Sequence, residues 1–238
     1  MSQNMSQNNT NHINNQPVLI IDFDSTFVSV ESLDELFKIS LKYNPQKNNI
    51  VQKIQEITDL GMDGKMSFAQ SLNSRLNLLV ANNNDINELI NFLMTKISPS
   101  FLQNQTWLRQ NAHKIYVVSG GFADYINPIV AHFGIPQSRV FANQFLYDYQ
   151  GQIVGYDKNN FLAQDKGKCK QMQIIKPKGE IWAVGDGWTD YELRENGIAT
   201  KFFGYTENKN RDKVIAVADT VANSLDVVIN QYSVTTAS

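Results

Sequence analysis

The feature that most constrains this fold is a short apolar run, Val18 to Ile21, that ends in two acids, Asp22 and Asp24. An aliphatic, β-branched run that begins after Pro17 is typical of a strand buried on both faces in a parallel sheet. In open α/β sheets, ligands bind outside the carboxyl ends of the strands. We therefore expect both carboxylates at a binding edge of the sheet. The alternative is that they only cap the strand, which is common for a single Asp but less common for two acids.

Composition limits the class of protein. Residues 1–16 are almost entirely polar, and a segment with so little apolar surface predicts a disordered tail. The net charge is −2, from 21 basic and 23 acidic residues, which argues against a nucleic-acid partner. The chain has one cysteine, no signal-peptide pattern and no apolar run of roughly 20 residues. We expect a soluble, cytoplasmic protein with no membrane partner.

Four consecutive amphipathic helices are predicted between residues 32 and 100, where apolar residues recur at helical spacing. The first begins at Ser32, which forms a capping-box pattern with Glu35. Because strands resume only after this region, the helices predict an insertion that covers the crevice of the sheet. We assign residues 32–100 to a helical-bundle cap, and residues 17–31 and 101–238 to an α/β core.

Strands and helices alternate in the rest of the chain. Apolar runs predict strands at 115–118 and 181–184, and a short strand at 214–217, while a β-hairpin is predicted around Gln150 and Gly151. Helices are expected between these strands and at the C-terminal end. The alternation predicts a Rossmann-like, doubly wound parallel sheet.

Three of the predicted strands end in polar turns, at residues 22–26, 119–121 and 185–190. Parallel strands would bring these turns, and the four carboxylates in them, to one edge of the sheet. Such acids repel one another unless a cation lies among them, and an all-oxygen set suits Mg²⁺. The sequence therefore predicts a magnesium site.

The same turns suit a phosphate group. Thr26 and Ser119 carry hydroxyl donors, and Gly120 and Gly121 allow backbone N–H groups to approach an anion closely. Lys166, at the start of a predicted helix, would neutralise the remaining charge, although a single lysine is most often a solvated surface residue.

The order Asp-x-Asp-x-Thr, Ser-Gly-Gly, Lys, Gly-Asp-Gly-x-x-Asp resembles the phosphoserine phosphatases of the haloacid dehalogenase-like superfamily, over residues 17 to about 205. The resemblance implies that Asp22 is the nucleophile, which forms an aspartyl-phosphate, and that Asp24 is the general acid and then the base. It assigns the other roles as follows: phosphate binding by Thr26, Ser119, Gly120 and Lys166; Mg²⁺ binding by Asp22, the Asp24 carbonyl and Asp186; support by Asp190.

The cap is expected to select the substrate. Phosphoserine carries an ammonium group and a carboxylate besides its phosphate, so a selective site needs an acid and an Arg. Glu31 and Arg75 stand at the family positions that make these contacts, and Met62, Phe68 and Gly121 match further substrate-contacting positions. Trp188 stands where the family usually has a small residue, so it either narrows the pocket or packs outward.

We therefore expect a Mg²⁺-dependent hydrolase that converts O-phospho-L-serine to serine and phosphate, the last step of serine biosynthesis. The partner would be a small molecule, and the enzyme would be a monomer or a homodimer. The alternatives are a phosphotransferase that uses an acceptor such as homoserine, a phosphatase for another small phosphate ester, and a non-catalytic binding protein that keeps the fold.

Overall fold

The computed structural model describes residues 16–62 and 65–237 of the chain. Except for Gln16, the predicted tail lies outside the described residues. The strands of the described part are β1 (Val18–Ile21), β2 (Ile115–Phe122), β3 (Val140–Asn143), β4 (Phe145–Tyr147), β5 (Ile153–Tyr156), β6 (Ile181–Gly185), β7 (Lys201–Tyr205) and β8 (Thr220–Ala222).

Six of these strands form one parallel sheet in the order β3-β2-β1-β6-β7-β8. Strand β1 lies in its middle, where Ile20 pairs with Tyr116 on one side and with Ala183 on the other. Side chains of β1 alternate between two apolar clusters, with Leu19 and Ile21 on one face of the sheet and Val18 and Ile20 on the other. The prediction of a strand buried on both faces is confirmed.

Helices cover both faces of the sheet. They are α1 (Ser32–Ser40), α2 (Lys47–Met62), α3 (Phe68–Leu76), α4 (Asn83–Met94), α5 (Pro99–Gln103), α6 (Gln105–Asn111), α7 (Ala123–Ala131), α8 (Gly167–Ile175), α9 (Trp188–Glu195), α10 (Asp212–Ile215) and α11 (Leu225–Ala237). The doubly wound parallel sheet predicted from the sequence is therefore confirmed.

Six helices, α1 to α6, lie between β1 and β2 in the described residues, and the first four are those that the periodicity predicts before residue 100. Helix α1 packs against α4, α2 packs against α3, and α4 also packs against α7 of the sheet layer. The division into a cap at 32–100 and a core stays a prediction. Strands β4 and β5 form the predicted antiparallel hairpin, which touches the chain before α4 through the bond from Ile153 N to the Ala81 carbonyl, 2.8 Å.

Two local predictions are wrong. Residues 214–217 form no strand, because the amides of Ile215 and Ala216 bond locally to the carbonyls of Arg211 and Asp212, which makes α10 a helix. The sixth strand of the sheet is β8, a few residues later. The capping box at Ser32 is also absent: Glu31 is the N-cap of α1 and makes no side-chain capping bond.

Within the described part of the chain, no helix combines the length and the apolar character that crossing a bilayer requires.

Candidate active site

The neighbouring strands β2, β1 and β6 end at the same edge of the sheet, and their terminal turns line one pocket with α2, α3 and the start of α8. Most of the predicted site residues line this pocket, namely Asp22, Asp24, Glu31, Phe68, Arg75, Ser119, Gly120, Gly121, Lys166 and Asp186. The expectation that three separate motifs converge is therefore confirmed by the geometry.

The turn after β1 sets the direction of the first motif. The amide of Asp22 continues the sheet by donating to the carbonyl of Val184, 2.9 Å. The chain then turns tightly, and Ser25 adopts a left-handed conformation with φ +53°, which is unusual for a residue other than glycine. The Ser25 amide donates to the Val30 carbonyl, 3.2 Å, and its hydroxyl donates to Glu31, 2.8 Å. These bonds hold the strained turn and connect the catalytic loop to Glu31.

The lysine that contacts the acids is Lys168, which the sequence did not single out, whereas the phosphate-binding role of Lys166 stays a prediction. Lys168 is buried, and its Nζ lies 2.7 Å from Oδ1 of Asp22 and 2.6 Å from Oδ1 of Asp190. Burial lowers the pKa of Lys168, but the charges of Asp190 and Asp22 raise it more, and its net direction is above the ordinary value. Lys166 precedes helix α8 in a left-handed conformation, φ +56°, and is exposed at the pocket.

In the described residues, the carboxylate of Asp24 accepts hydrogen bonds through one of its two oxygens. Its Oδ1 accepts hydrogen bonds from the amide of Ser32, 2.8 Å, and from the Ser32 hydroxyl. The residue that was predicted to cap α1 thus binds the carboxylate of Asp24. Burial, followed by the negative charge of Glu31, raises the pKa of Asp24 well above its usual range. A carboxyl group with a raised pKa is suited to donate a proton near neutral pH.

Three buried or largely buried acids, Asp22, Asp186 and Asp190, offer oxygen atoms that all lie within 4.8 Å of one another. Burial raises the pKa of Asp186 to about 6, and the charge of Glu31 adds to this effect. Such an all-oxygen set at short mutual distance fits Mg²⁺ chemically. Asp190 also accepts from the amide of Gly187, 3.1 Å, and therefore holds the loop as well as Lys168.

Arg211 was missed in the sequence. Its Nε donates to Oδ2 of Asp186 at 2.8 Å, and its Nη2 lies 3.4 Å from Oε1 of Glu31. Arg211 follows β7, the strand beside β6, in a polar stretch that has no recognisable pattern. Only the strand order reveals that this arginine reaches the acidic cluster.

Thr26 does not line the pocket. Its side chain is fully buried, and its hydroxyl points toward Oδ1 of Asp186 at 3.5 Å. Thr26 therefore contacts the acidic cluster, and its predicted phosphate-binding role stays a prediction. Ser119 does line the pocket, and its hydroxyl accepts from the amide of Gly121, 2.9 Å.

Helix α3 contributes a buried arginine, Arg75. Arg75 lies with its Nη1 3.6 Å from Oδ1 of Asp34 and donates to the Thr58 hydroxyl at 3.4 Å. Its Nε has no hydrogen-bond partner among the described residues, although it is buried. Burial raises the pKa of Asp34 to about 6 despite the opposing charge of Arg75. The Nε–H group of Arg75 is therefore available to bind a carboxylate.

Helix α3 meets the turn after β2 at Phe68, whose ring lies against Gly120. A methyl group placed on Gly120 would lie 2.5 Å from the Phe68 ring, so only glycine allows this approach. Trp188 lines the pocket, and its indole, 42% exposed, packs against Tyr191 with 5.0 Å between ring centroids. The side chain of Met62 lies outside the described part of the structure.

The comparisons with known proteins agree with this arrangement. The family model described as haloacid dehalogenase-like hydrolase matches residues 19–195. The chain is 32% identical over 213 residues to the chloroplastic phosphoserine phosphatase of Arabidopsis thaliana, covering 88% of this chain and 69% of that protein. It is 28% identical over 196 residues to the phosphoserine phosphatase of Homo sapiens, covering 81% and 83%.

One solved structure shares both fold and sequence. It is a phosphoserine phosphohydrolase-like protein from Francisella tularensis, with a TM-score of 0.80 and 30% identity, covering 90% of this chain and 99% of that chain. Because the family model matches most of its length, the chain belongs to the haloacid dehalogenase-like hydrolases.

Proposed function

We propose that the protein is a phosphoserine phosphatase, which hydrolyses O-phospho-L-serine to serine and phosphate. The observation that carries the proposal is the pairing of two different carboxyl groups at the end of β1. Asp22 lies 2.7 Å from the buried Lys168 cation, whereas the pKa of Asp24 is raised by burial and by Glu31. One acid is thereby suited to attack as a carboxylate, and the other is suited to carry a proton.

In the first step, an oxygen of Asp22 attacks phosphorus, and the bond from phosphorus to the serine oxygen breaks. Asp24 gives its proton to that oxygen, so that serine leaves as the neutral alcohol. The ammonium of Lys168 and the hydroxyl of Ser119 lie where they would hold the phosphoryl oxygens. Splitting the hydrolysis into two transfers replaces one difficult step by two easier ones.

In the second step, Asp24 takes a proton from a water molecule, and the water oxygen attacks phosphorus. The bond from phosphorus to Asp22 breaks, which releases phosphate and restores both carboxyl groups. The same side chain therefore serves as acid and then as base, as its position two residues after the nucleophile allows.

Asp22 and Asp186, with the Asp24 carbonyl, would hold Mg²⁺, and Asp190 would support the set. The three clustered carboxylates carry this assignment because their oxygen atoms lie close together and form the all-oxygen set that Mg²⁺ prefers, although Lys168 and Arg211 already offset part of their charge. When bound, Mg²⁺ would supply positive charge to the phosphoryl oxygens.

For the substrate, we propose that Glu31 contacts the ammonium group and that Arg75 binds the carboxylate. Glu31 lies on the pocket and is half-buried between Ser25 and Arg211. Arg75 lines the same pocket from helix α3, and its Nε has no hydrogen-bond partner in the described part of the chain. The amino and carboxyl groups of one amino acid would thus be read by residues of core and cap. Phe68, Gly120 and Gly121 would close the pocket around the serine portion.

The test is release of inorganic phosphate in the presence of Mg²⁺ from three esters. Phosphoserine carries both recognition groups, phosphoethanolamine lacks the carboxylate, and the phosphate ester of 3-hydroxypropanoate lacks the ammonium. We expect kcat/KM to be highest for phosphoserine. Equal turnover of all three esters would contradict the roles of Glu31 and Arg75, and a phosphorylated acceptor in place of free phosphate, with homoserine added, would indicate a transferase.

The mechanism is tested separately. Asp22→Asn keeps the size of the side chain but removes the nucleophile, and we expect phosphate release to fall to background. Phosphate release near the original rate would exclude an aspartyl-phosphate on this residue. A cytoplasmic location and a monomeric or homodimeric state complete the proposal, and light scattering on the purified protein measures the latter.

A further inference from the structure

Tyr125 is a buried tyrosine that the chemistry above does not use. It lies in the first turn of α7, directly after the Ser-Gly-Gly turn of β2, and its side chain is 0% exposed. Its ring packs between Phe23 and Phe122, with ring centroids 6.3 Å away in each case. The apolar packing explains the ring, but it leaves the hydroxyl group unexplained.

The hydroxyl of Tyr125 makes no hydrogen bond of standard geometry among the described residues, although the backbone N–H of Phe122 lies close enough to its oxygen to lower its pKa. A buried polar group without a partner is costly and calls for an explanation. A phenylalanine would fill the same apolar space without this cost. The hydroxyl therefore points to an interaction that forms at another stage of the enzyme's cycle.

The direction of the hydroxyl identifies its neighbour. A methyl group placed on Gly121 would lie 2.9 Å from the Tyr125 hydroxyl oxygen and 3.2 Å from Oδ2 of Asp24. Both oxygens therefore approach the same side of Gly121. In the described residues, Oδ1 of Asp24 takes both bonds from Ser32, whereas no donor binds Oδ2.

We propose that Tyr125 is a positioning residue for Asp24, whose hydroxyl donates a hydrogen bond to Oδ2 once the carboxyl group has given up its proton. The proposal rests on the role of Asp24 as general acid given above. A phenol hydroxyl is protonated near neutral pH, because its ordinary pKa is about 10, and it therefore remains a donor.

The bond would act in the first chemical step. As the serine oxygen leaves phosphorus, the O–H bond of Asp24 breaks and a new O–H bond forms on serine. Negative charge then develops on the Asp24 carboxylate, and a donor already placed beside Oδ2 stabilises it without reorganisation. Because this interaction is stronger after proton transfer than before it, it favours the transition state over the bound substrate.

The experiment compares two leaving groups in the full-length enzyme. Serine leaves as an alkoxide that needs a proton, whereas p-nitrophenol leaves readily as an anion and needs little help from a general acid. The quantity measured is kcat/KM, which includes transfer to Asp22 but not the later hydrolysis. For Tyr125→Phe, we expect kcat/KM to fall about tenfold or more with phosphoserine, and about twofold or less with p-nitrophenyl phosphate.

Tyr232→Phe is the matched control. Tyr232 is also a buried tyrosine, 2% exposed, but its ring packs against Trp107 and Trp182, away from the pocket. We expect this variant to match the wild type with both esters. Equal losses of Tyr125→Phe on both esters would show a structural role and overturn the proposal, as would no loss at all. Tyr125→Met, which also lacks the hydroxyl, answers the same question if the first variant does not fold.

Asp24→Asn separates this proposal from the proposed function. We expect it to lose phosphoserine activity far more than p-nitrophenyl phosphate activity. If Asp24→Asn retains phosphoserine turnover, the general-acid role itself is wrong, and the Tyr125 proposal falls with it. If Asp24→Asn behaves as expected and Tyr125→Phe does not, only the Tyr125 proposal is overturned.

Discussion

Replacing Asp34 with asparagine should make the protein more stable and the enzyme less effective. Asp34 is buried under Arg75 in the cap, and burial raises its pKa from an ordinary 3.8 to about 6. The pKa remains raised although Arg75 lies 3.6 Å away. The net effect of the surroundings is therefore to disfavour the charged form of this carboxyl group.

The pH dependence follows from linkage between protonation and folding. Because the folded-state pKa lies above the unfolded-state value, the stability that protonated Asp34 contributes is full below pH 4 and is lost as pH rises through 6. At about 1.4 kcal/mol per pKa unit, the charged form costs about 3 kcal/mol above pH 7. An asparagine side chain at this position would be neutral at every pH and would avoid this cost.

The assay is denaturant unfolding of wild type and Asp34→Asn at pH 4.5 and pH 8. We expect the difference in free energy of unfolding to be small at the lower pH and to favour the variant by up to about 3 kcal/mol at the higher pH. A difference that does not change with pH, or a variant less stable at pH 8, would refute the reasoning. In that case the pair with Arg75 would outweigh the desolvation of Asp34.

The same substitution should weaken substrate binding, although it stabilises the fold. Asp34 and Thr58 are the groups that contact Nη1 of Arg75, and Thr58 also donates to Asp34 at 3.2 Å. Loss of the negative charge frees Arg75 from its anchor, so we expect KM for phosphoserine to rise while kcat changes little. Phosphoethanolamine, which has no carboxylate for Arg75, is the control substrate and should show no change in KM.

Three further predictions test the pocket. Lys168→Met should reduce phosphate release to near background, because it removes the buried cation beside Asp22, and Lys166→Met in the same assay should cause the smaller loss, a higher KM, expected of an exposed lysine that binds phosphate at the pocket. Gly120→Ala should impair activity because the new methyl would lie 2.5 Å from the Phe68 ring, and Phe68→Leu in the same chain should restore part of it if that clash is the cause. Chelation of divalent cations should abolish phosphate release, and added Mg²⁺ should restore it; activity unaffected by a chelator would contradict the metal site at the clustered carboxylates.

The fold follows from the sequence wherever periodicity carries the information. The apolar run of β1, the four helices of the cap region and the hairpin of β4 and β5 all repeat with the period of their element. The location of the strand-end turns is equally predictable, because the carboxyl ends of adjacent parallel strands lie at the same edge of the sheet. The short run at 214–217 misled because four apolar residues fit a helical turn as well as a strand.

The direction of individual side chains was harder to predict because turns have no period. Lys166 and Lys168 are two residues apart at the start of one helix and both line the pocket, but only the folded chain shows that Lys168 contacts Asp22. Thr26 lies in the irregular turn after β1 and faces Asp186 instead of the pocket. Arg211 comes from a loop that only the strand order brings to the acids.

The site residues that the sequence does not single out, Lys168 and Arg211, are cations, and the charge balance of the site explains their presence. The acids come from compact motifs at strand ends, whereas the cations that offset them come from elsewhere: Lys168 from a helix start and Arg211 from the loop after β7. Each cation contacts two acids, so that Lys168 bridges Asp22 and Asp190 while Arg211 bridges Asp186 and Glu31. A buried acidic cluster of this density requires such partners. The sequence therefore implies that cations must reach the cluster, but only the folded chain determines which residues supply them.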